Sequence, residues 1–312
     1  MKNQKTVVVT GASSGIGWST VSMLTNAGWH VFATVRKPAD SDRLIAAFGD
    51  RVTPLIMDVT DRTSIAAASE QVSPLQPRGL DALVNVAGIG MLRPLEYATT
   101  DEMREIFDIN VFGQIAVTQA FLPLLRRARG RIVNIGSVGS HIAIPFGSLL
   151  NSSKSAFRSM SDSLRMELRS SGVRVVMIEP GAIKTPAVNK TLGDVDGIIH
   201  RLPPEGAAEY SDMLKKAASR AYKMESNGSD PDVVAAVVLE ALTNDRPRTH
   251  YPAGKHSRIL ALLPILIPAA ILDVLLLKAL GLPTKRKSSR PRNEGRDSRL
   301  EVIHPKNVQV AL

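Results

Sequence analysis

The chain of 312 residues contains no cysteine. Disulfides, thiolate nucleophiles and cysteine-ligated metals are therefore excluded, and the composition fits a reducing compartment such as the cytoplasm. Histidine is sparse too. The six are scattered, and around the closest pair, His250 and His256, no further ligand types are arrayed. They read as surface or core histidines, and no metal site is expected. Tyrosine occurs four times, at Tyr97, Tyr210, Tyr222 and Tyr251.

Long apolar runs are missing as well. Ile259–Leu272 contains Pro264 and Pro268 and ends at Asp273, and the stretch that follows carries Lys278. The uninterrupted run falls short of the roughly 20 residues that a spanning helix needs. Residues 256–284 are read as a broken helix that either caps an apolar pocket or dips into a membrane interface. The N-terminus lacks a signal-peptide pattern: Lys2 and Lys5 precede only a few apolar residues before Gly11, and the segment enters a strand.

Charge is abundant but uneven. The net is +10, and residues 285–312 hold eight Lys/Arg against three Asp/Glu. With no apolar periodicity, 285–312 is expected to be a disordered basic tail, either simply solvated or drawn to an anionic membrane surface. No recognition motif accompanies the charge, so no nucleic-acid partner is expected. The chain is placed in the cytoplasm, with peripheral membrane contact as the alternative.

What is present is a regular alternation of apolar runs and helix-period segments. Strands are predicted at Thr6–Thr10, His30–Val35, Val52–Met57, Leu80–Val86, Arg131–Ile135 and Val173–Ile178, with a short seventh at Thr249–Tyr251. They are continuously apolar, as strands buried on both faces of a parallel sheet are. The pattern predicts an α/β fold, a Rossmann-type doubly wound parallel sheet of about seven strands, in one domain over residues 1–255. A long helix is expected from Thr100 to about 127, with Thr100 as N-cap and Met103 at the third position giving no capping box. A second runs over 148–171, with Phe157, Met160, Leu164 and Leu168 on one face. Residues 181–220 lack strand signals, follow the sixth strand, and are read as a substrate-covering lid.

Thr10-Gly11-Ala12-Ser13-Ser14-Gly15-Ile16-Gly17 follows a strand and opens a helix. Gly11 permits the sharp turn, Gly15 the close approach of backbone to a pyrophosphate, and Gly17 tight helix-on-sheet packing. The helix N-terminus then offers free N–H groups to phosphate. Here the chain resembles the classical short-chain dehydrogenase/reductase family, over residues up to about 255. Its Thr-Gly-x-x-x-Gly-x-Gly turn is matched from Thr10 to Gly17. Asn85-Val86-Ala87-Gly88 matches its Asn-x-Ala-Gly turn, and Asn110 stands in its helix motif.

The resemblance implies cofactor contacts at Gly11, Ser13, Ser14, Gly15, Ile16, Gly17, Asp58, Asn85, Ala87, Gly88, Lys154, Pro180, Gly181 and Thr185. It implies catalytic roles for Asn110, Ser137 and Lys154. The family's proton-transferring tyrosine would fall thirteen residues after Ser137 and four before Lys154, and that residue is Leu150. Leucine carries no exchangeable proton. The other tyrosines, His141, or water held by Lys154 and Ser137 are the alternative proton sources.

After the second strand stand Arg36 and Lys37, where an acid would favour NAD. Guanidinium pairs phosphate bidentately, so NADP(H) is expected over NAD. Two functions remain open. One is an NADP(H)-dependent oxidoreductase acting on an apolar alcohol or carbonyl (lipid-, steroid- or retinoid-like). The other is a dinucleotide-binding sensor or scaffold that has lost its reaction. The resemblance also implies a homodimer or homotetramer paired through the helices near 100–127 and 148–171.

Overall fold

The structure is a computed structural model and describes residues 4–284. The expected basic tail at 285–312 lies outside the described residues. Seven parallel strands form one sheet in the order β3-β2-β1-β4-β5-β6-β7. They are β1 (Thr6–Val9), β2 (His30–Val35), β3 (Val52–Ile56), β4 (Ala82–Asn85), β5 (Arg131–Ile135), β6 (Arg174–Pro180) and β7 (His250–Ala253). The helices are α1 (Gly15–Asn26), α2 (Pro38–Phe48), α3 (Arg62–Val72), α4 (Thr100–Phe107), α5 (Gln114–Ala128) and α6 (Ser148–Glu167). They continue as α7 (Pro186–Leu192), α8 (Val195–His200), α9 (Pro204–Ser226), α10 (Pro231–Thr243), α11 (Ser257–Leu266) and α12 (Ala269–Ala279).

The apolar runs fold as buried strands because both faces are covered. On β1, Val7 and Val9 join the core with Val21 and Leu24 of α1 and Val234 and Val238 of α10. Val8 points the other way, to Ile65 of α3 and Val117 and Phe121 of α5. The chain reverses its winding between β1 and β4, which pair in register Val7↔Ala82 to Val9↔Val84. Ligands bind at the carboxyl ends of the strands beside such a switch point.

Several boundaries differ from expectation. Residues 100–128 do not form one helix: a π turn at Asp108–Gly113 separates α4 from α5. Thr100 is not the cap. Thr99 Oγ1 accepts from the Glu102 backbone N–H, and the Glu102 side chain returns the bond, completing a capping box one residue earlier. β6 runs two residues further than predicted, through Pro180, because β7 pairs with it there. The 148–171 helix ends at Glu167 and tightens into a 3-10 turn, Arg169–Ser171. Its apolar face divides: Phe157 and Leu168 are core, whereas Met160 is exposed. Residues 181–220 are mostly helical, formed by α7, α8 and much of α9.

Candidate functional site

The turn from β1 into α1 is shaped by backbone proximity. Gly11 has φ +64°, and a Cβ there would stand 2.9 Å from the Ala87 Cα. A Cβ on Gly17 would meet the Gly11 carbonyl oxygen at 2.1 Å, so no larger residue fits. Ser14 is the N-cap of α1 and makes no side-chain capping bond, so its side chain leaves the first-turn N–H groups uncapped. Thr10, which the sequence marked only as the start of the motif, fixes this turn to the next loop. Its Oγ1 accepts from the N–H groups of Val86 (2.8 Å) and Ala87 (3.1 Å).

A cleft of about 450 Å³ opens at this point. Gly11, Ser13, Ser14, Gly15, Ile16 and Gly17 line one wall, and Arg36, Asp58, Ala87, Gly88 and Thr185 line others. Met57, Val59 and Ile109 add apolar surface that sequence reasoning did not single out. Thr185 reaches over the phosphate turn: a Cβ on Gly15 would touch its side chain at 3.1 Å. The Arg36 guanidinium stands 4.0 Å from the Asp58 carboxylate and is largely exposed. A glycine cradle, a bare helix N-terminus and a cation at the far end fit a phosphorylated dinucleotide.

Not every candidate reaches the cleft. The Asn85 side chain lies in the interior and donates to Thr118 Oγ1 and Asn134 Oδ1 (both 2.9 Å), tying β4 to α5 and β5. Lys37 is exposed at the N-cap of α2, outside the lining. Pro180 ends β6, and the Gly181 N–H donates to the Ala253 carbonyl, so both serve the β6–β7 edge.

The π turn widens the helix locally and turns Asn110 inward. Asn110 Oδ1 accepts from the Ile89 N–H (2.8 Å), and its Nδ2 donates to the Ile89 carbonyl (2.9 Å) and Ser153 Oγ (3.0 Å). Ser153 in turn donates to the Leu150 carbonyl. Asn110 thus holds the β4 loop against α6. Ser137 follows β5, and its Oγ accepts from the Gly139 N–H. Lys154 is buried, and its Nζ donates to the Ile135 carbonyl at 3.2 Å. Burial alone lowers its ammonium to about 8. Leu150 is half-buried one turn earlier on α6.

His141 does not face this centre; its Nε2 sits 2.7 Å from Glu179 on β6. Glu179 also receives Arg158 Nε, and His250 Nδ1 stands 3.6 Å away. This cluster explains His250, and among the described residues no group of His, Asp and Glu is arranged to hold a metal. A tyrosine followed four residues later by lysine does occur, at Tyr251 and Lys255, but on β7 and its turn. The Tyr251 hydroxyl accepts from the Arg248 N–H, and Lys255 Nζ donates to the Asn227 carbonyl.

Above the cleft, α7, α8 and α9 pack Ile198, Leu202 and Leu214 against Leu92. Tyr210 lies edge-on to both Tyr97 and Phe146, with centroids 6.0 Å apart in each pair. The C-terminal segment joins this roof: Leu280 and Leu282 pack on Ala217, with Met213, Ile144 and Phe146 alongside. α11 and α12 are a helix broken at Pro268, as expected.

The short chain dehydrogenase family model matches residues 5–195. The chain belongs to the short-chain dehydrogenase family, a family of oxidoreductases. Its relatives include human dehydrogenase/reductase SDR family member 9, 34% identical over 283 residues, covering 88% of each chain. Human retinol dehydrogenase 5 is 34% identical over 289 residues, covering 89% of this chain and 90% of its own. A 3-ketodihydrosphingosine reductase of Bacteroides thetaiotaomicron is 30% identical, covering 81% of this chain and 89% of its own. Among solved structures, a short-chain dehydrogenase from Streptomyces avermitilis superposes with TM-score 0.70 at 26% identity, covering 90% of this chain and 98% of its own.

Proposed function

We propose that this chain is an NADP(H)-dependent oxidoreductase that interconverts an alcohol and a carbonyl on an apolar, retinoid-, steroid- or lipid-like substrate. The observation that carries the reading is a cleft lined by a glycine cradle and by Arg36, with Lys154 buried behind its Gly88 wall and bonded to the strand that leads to Ser137. Retinol and 3-ketodihydrosphingosine, in the relatives' names, are a lipid alcohol and a lipid ketone.

When bound, the nicotinamide supplies or accepts the hydride. The chain's own residues do the rest. Gly11 to Gly17 and the α1 N-terminus receive the pyrophosphate, and Arg36 pairs the 2′-phosphate. Lys154 would hold the nicotinamide ribose, Thr185 would lie against the nicotinamide, and Ser137 Oγ would donate to the substrate oxygen. Asn110 keeps α6 and the β4 loop at a fixed spacing. Residues 1–255 form the catalytic domain, 181–220 its lid, and 256–284 a cap.

A second reading rests on Leu150: a family member that binds dinucleotide without turnover. NADPH binding by fluorescence, with turnover over a carbonyl panel for the native chain and Leu150→Tyr, decides. Turnover by the native chain supports the enzyme. Tight binding with turnover only in Leu150→Tyr rejects it.

The chain is proposed to be cytoplasmic, to pair with copies of itself through α5 and α6, and to touch a membrane surface peripherally. No helix among the described residues is long and apolar enough to cross a membrane. α11 and α12 nevertheless expose Ile265 (75%) and Leu266 (72%), with Ile259, Leu262 and Ile271 also exposed. Lys285, Arg286 and Lys287 follow in sequence. An apolar face followed in sequence by basic residues suits an interface with anionic lipid.

A further inference from the structure

Reduction of a carbonyl needs a proton on its oxygen, and Leu150 has none to give. The structure removes the other acids one by one. Tyr210 donates its hydroxyl to Glu96 at 2.7 Å, and that bond with burial pushes it up to about 12. Tyr97 packs edge-on to Tyr210 and against Gly206 in the roof. Tyr222 is exposed on α9, lining a groove against α7. Tyr251 is buried on β7 and holds the Arg248 N–H. His141 is bound to Glu179, in the β6–β7 cluster. Ser137 is too weak an acid to end as an alkoxide without a base beside it.

We propose that Lys154 is the proton carrier of this chain, its ammonium giving a proton to the substrate oxygen in reduction and its neutral amine taking one back in oxidation. This rests on the oxidoreductase reading above. Its Nζ is bonded to the carbonyl of Ile135, two residues before Ser137, so Nζ and Ser137 are brought to the same end of β5. On its other side Nζ faces the β4 loop: a Cβ on Gly88 would stand 3.5 Å from it. Gly88 lines the cleft, so the ammonium stands directly behind that wall, at the end of β5 that leads to Ser137.

No carboxylate pairs with Lys154 among the described residues, and burial lowers its ammonium. Burial makes the ammonium a stronger acid than an exposed lysine, about 8 against about 10.4. A tyrosine at position 150 would interpose a phenol between this amine and the substrate. Leucine is shorter and places no polar group there.

The chemistry balances. One N–H bond of Lys154 breaks and one O–H bond forms on the substrate. The carbonyl carbon is reduced by the hydride and its two electrons, which the nicotinamide supplies, leaving NADP oxidised. Water returns the proton to the amine.

The test combines spectroscopy with a crossed set of variants. In the full chain carrying ¹³Cε-lysine, without cofactor, one lysine resonance absent from Lys154→Arg should titrate near 8; a midpoint above about 10 overturns the proposal. Arginine keeps the charge but cannot release a proton at working pH. Lys154→Arg should therefore lose about 10²-fold or more in turnover measured at saturating NADPH, whatever its affinity for the dinucleotide. Leu150→Tyr with Lys154→Arg should regain at least about tenfold of that loss, because a phenol again carries the proton.

Turnover by Lys154→Arg within about threefold of native overturns the proposal while leaving the oxidoreductase reading intact. A native chain that binds NADPH without turning over any carbonyl overturns both. Should Lys154→Arg fail to fold, the native pH profile decides: carbonyl reduction should fall as pH rises through about 8, and a flat profile to about 10 overturns the proposal.

Discussion

His141 Nε2 lies 2.7 Å from Glu179 Oε1, joining the loop after Ser137 to the buried end of β6. Arg158 reaches the same carboxylate oxygen at 3.1 Å, and His250 bridges towards Asp162 at 3.0 Å. The pairing takes His141 out of the reaction and makes it part of a structural cluster.

That cluster predicts a stability optimum on the acid side of neutrality. Burial pushes Glu179 up, but the hydrogen bonds and charges of His141 and His250 outweigh it and bring the carboxyl down to about 2. Its contribution is full above the ordinary value of 4.5 and is lost as pH falls towards 2. The Glu179 carboxylate raises His250 against burial, with Asp162 adding to it. The His250 contribution is full below the ordinary 6.5 and is lost as pH rises through the raised value. The thermal midpoint should therefore peak between 4.5 and 6.5. Glu179→Gln should flatten both arms and cost about 1–3 kcal/mol, measured by calorimetry across pH. A native profile of unchanged shape in the variant contradicts this.

Arg93 should anchor the roof. Its guanidinium is 6% exposed, pairs with Glu102 and donates to the Ile198 carbonyl on α8. Burial opposes the Glu102 charge, but Arg93 and Thr99 outweigh it and hold its carboxyl below the usual range. Arg93→Ala removes the ion pair and the bond to Ile198 while Thr99 still holds the carboxylate, and should cost about 1–3 kcal/mol in urea unfolding. Limited proteolysis should cut first within α7 and α8.

At Gly17, even a methyl group is too much. Gly17→Ala places a Cβ 2.1 Å from the Gly11 carbonyl oxygen, so the phosphate turn must shift. The expected cost is about 1–3 kcal/mol. The thermal shift on adding NADPH should vanish with it; a full shift in the variant rejects the cradle.

Arg36→Asp should exchange cofactor preference. Removing the guanidinium and adding a carboxylate should weaken NADPH binding by about tenfold or more while NADH binding holds or improves. Equal effects on the two dinucleotides would return Arg36 to the status of an exposed charge.

Replacing Ile265 and Leu266 together with serine should leave fluorescence-detected NADPH binding intact and abolish flotation on phosphatidylserine vesicles. Flotation at native levels, or equal flotation on uncharged phosphatidylcholine vesicles, contradicts an anionic interface.

Most of the architecture was legible because its signals are local. Six apolar runs and a short seventh strand, separated by helix-period segments, lead to a seven-stranded parallel sheet, and Thr10 to Gly17 is one contiguous turn. The Thr99 cap was equally local, a Thr99-x-x-Glu102 capping box one residue before the expected Thr100. The other failures lie where distant contacts decide. The π turn appears where Gly113 is held against the Val59 carbonyl, at which a Cβ would stand only 2.6 Å away. Asn85 faces inward because Thr118 and Asn134, 33 and 49 residues on, supply its partners.

The sequence by itself determined the chemical inventory: no cysteine, a glycine-spaced phosphate turn, Arg36 after the second strand, and a leucine between Ser137 and Lys154. Only the tertiary structure decided how that inventory is used. Parallel pairing of β5 with β6 brings His141 onto Glu179, and the packing of α6 on β5 sets Lys154 against Ile135. Burial there strips water from the ammonium, and its acidity depends on that burial, which no spacing along the chain could report.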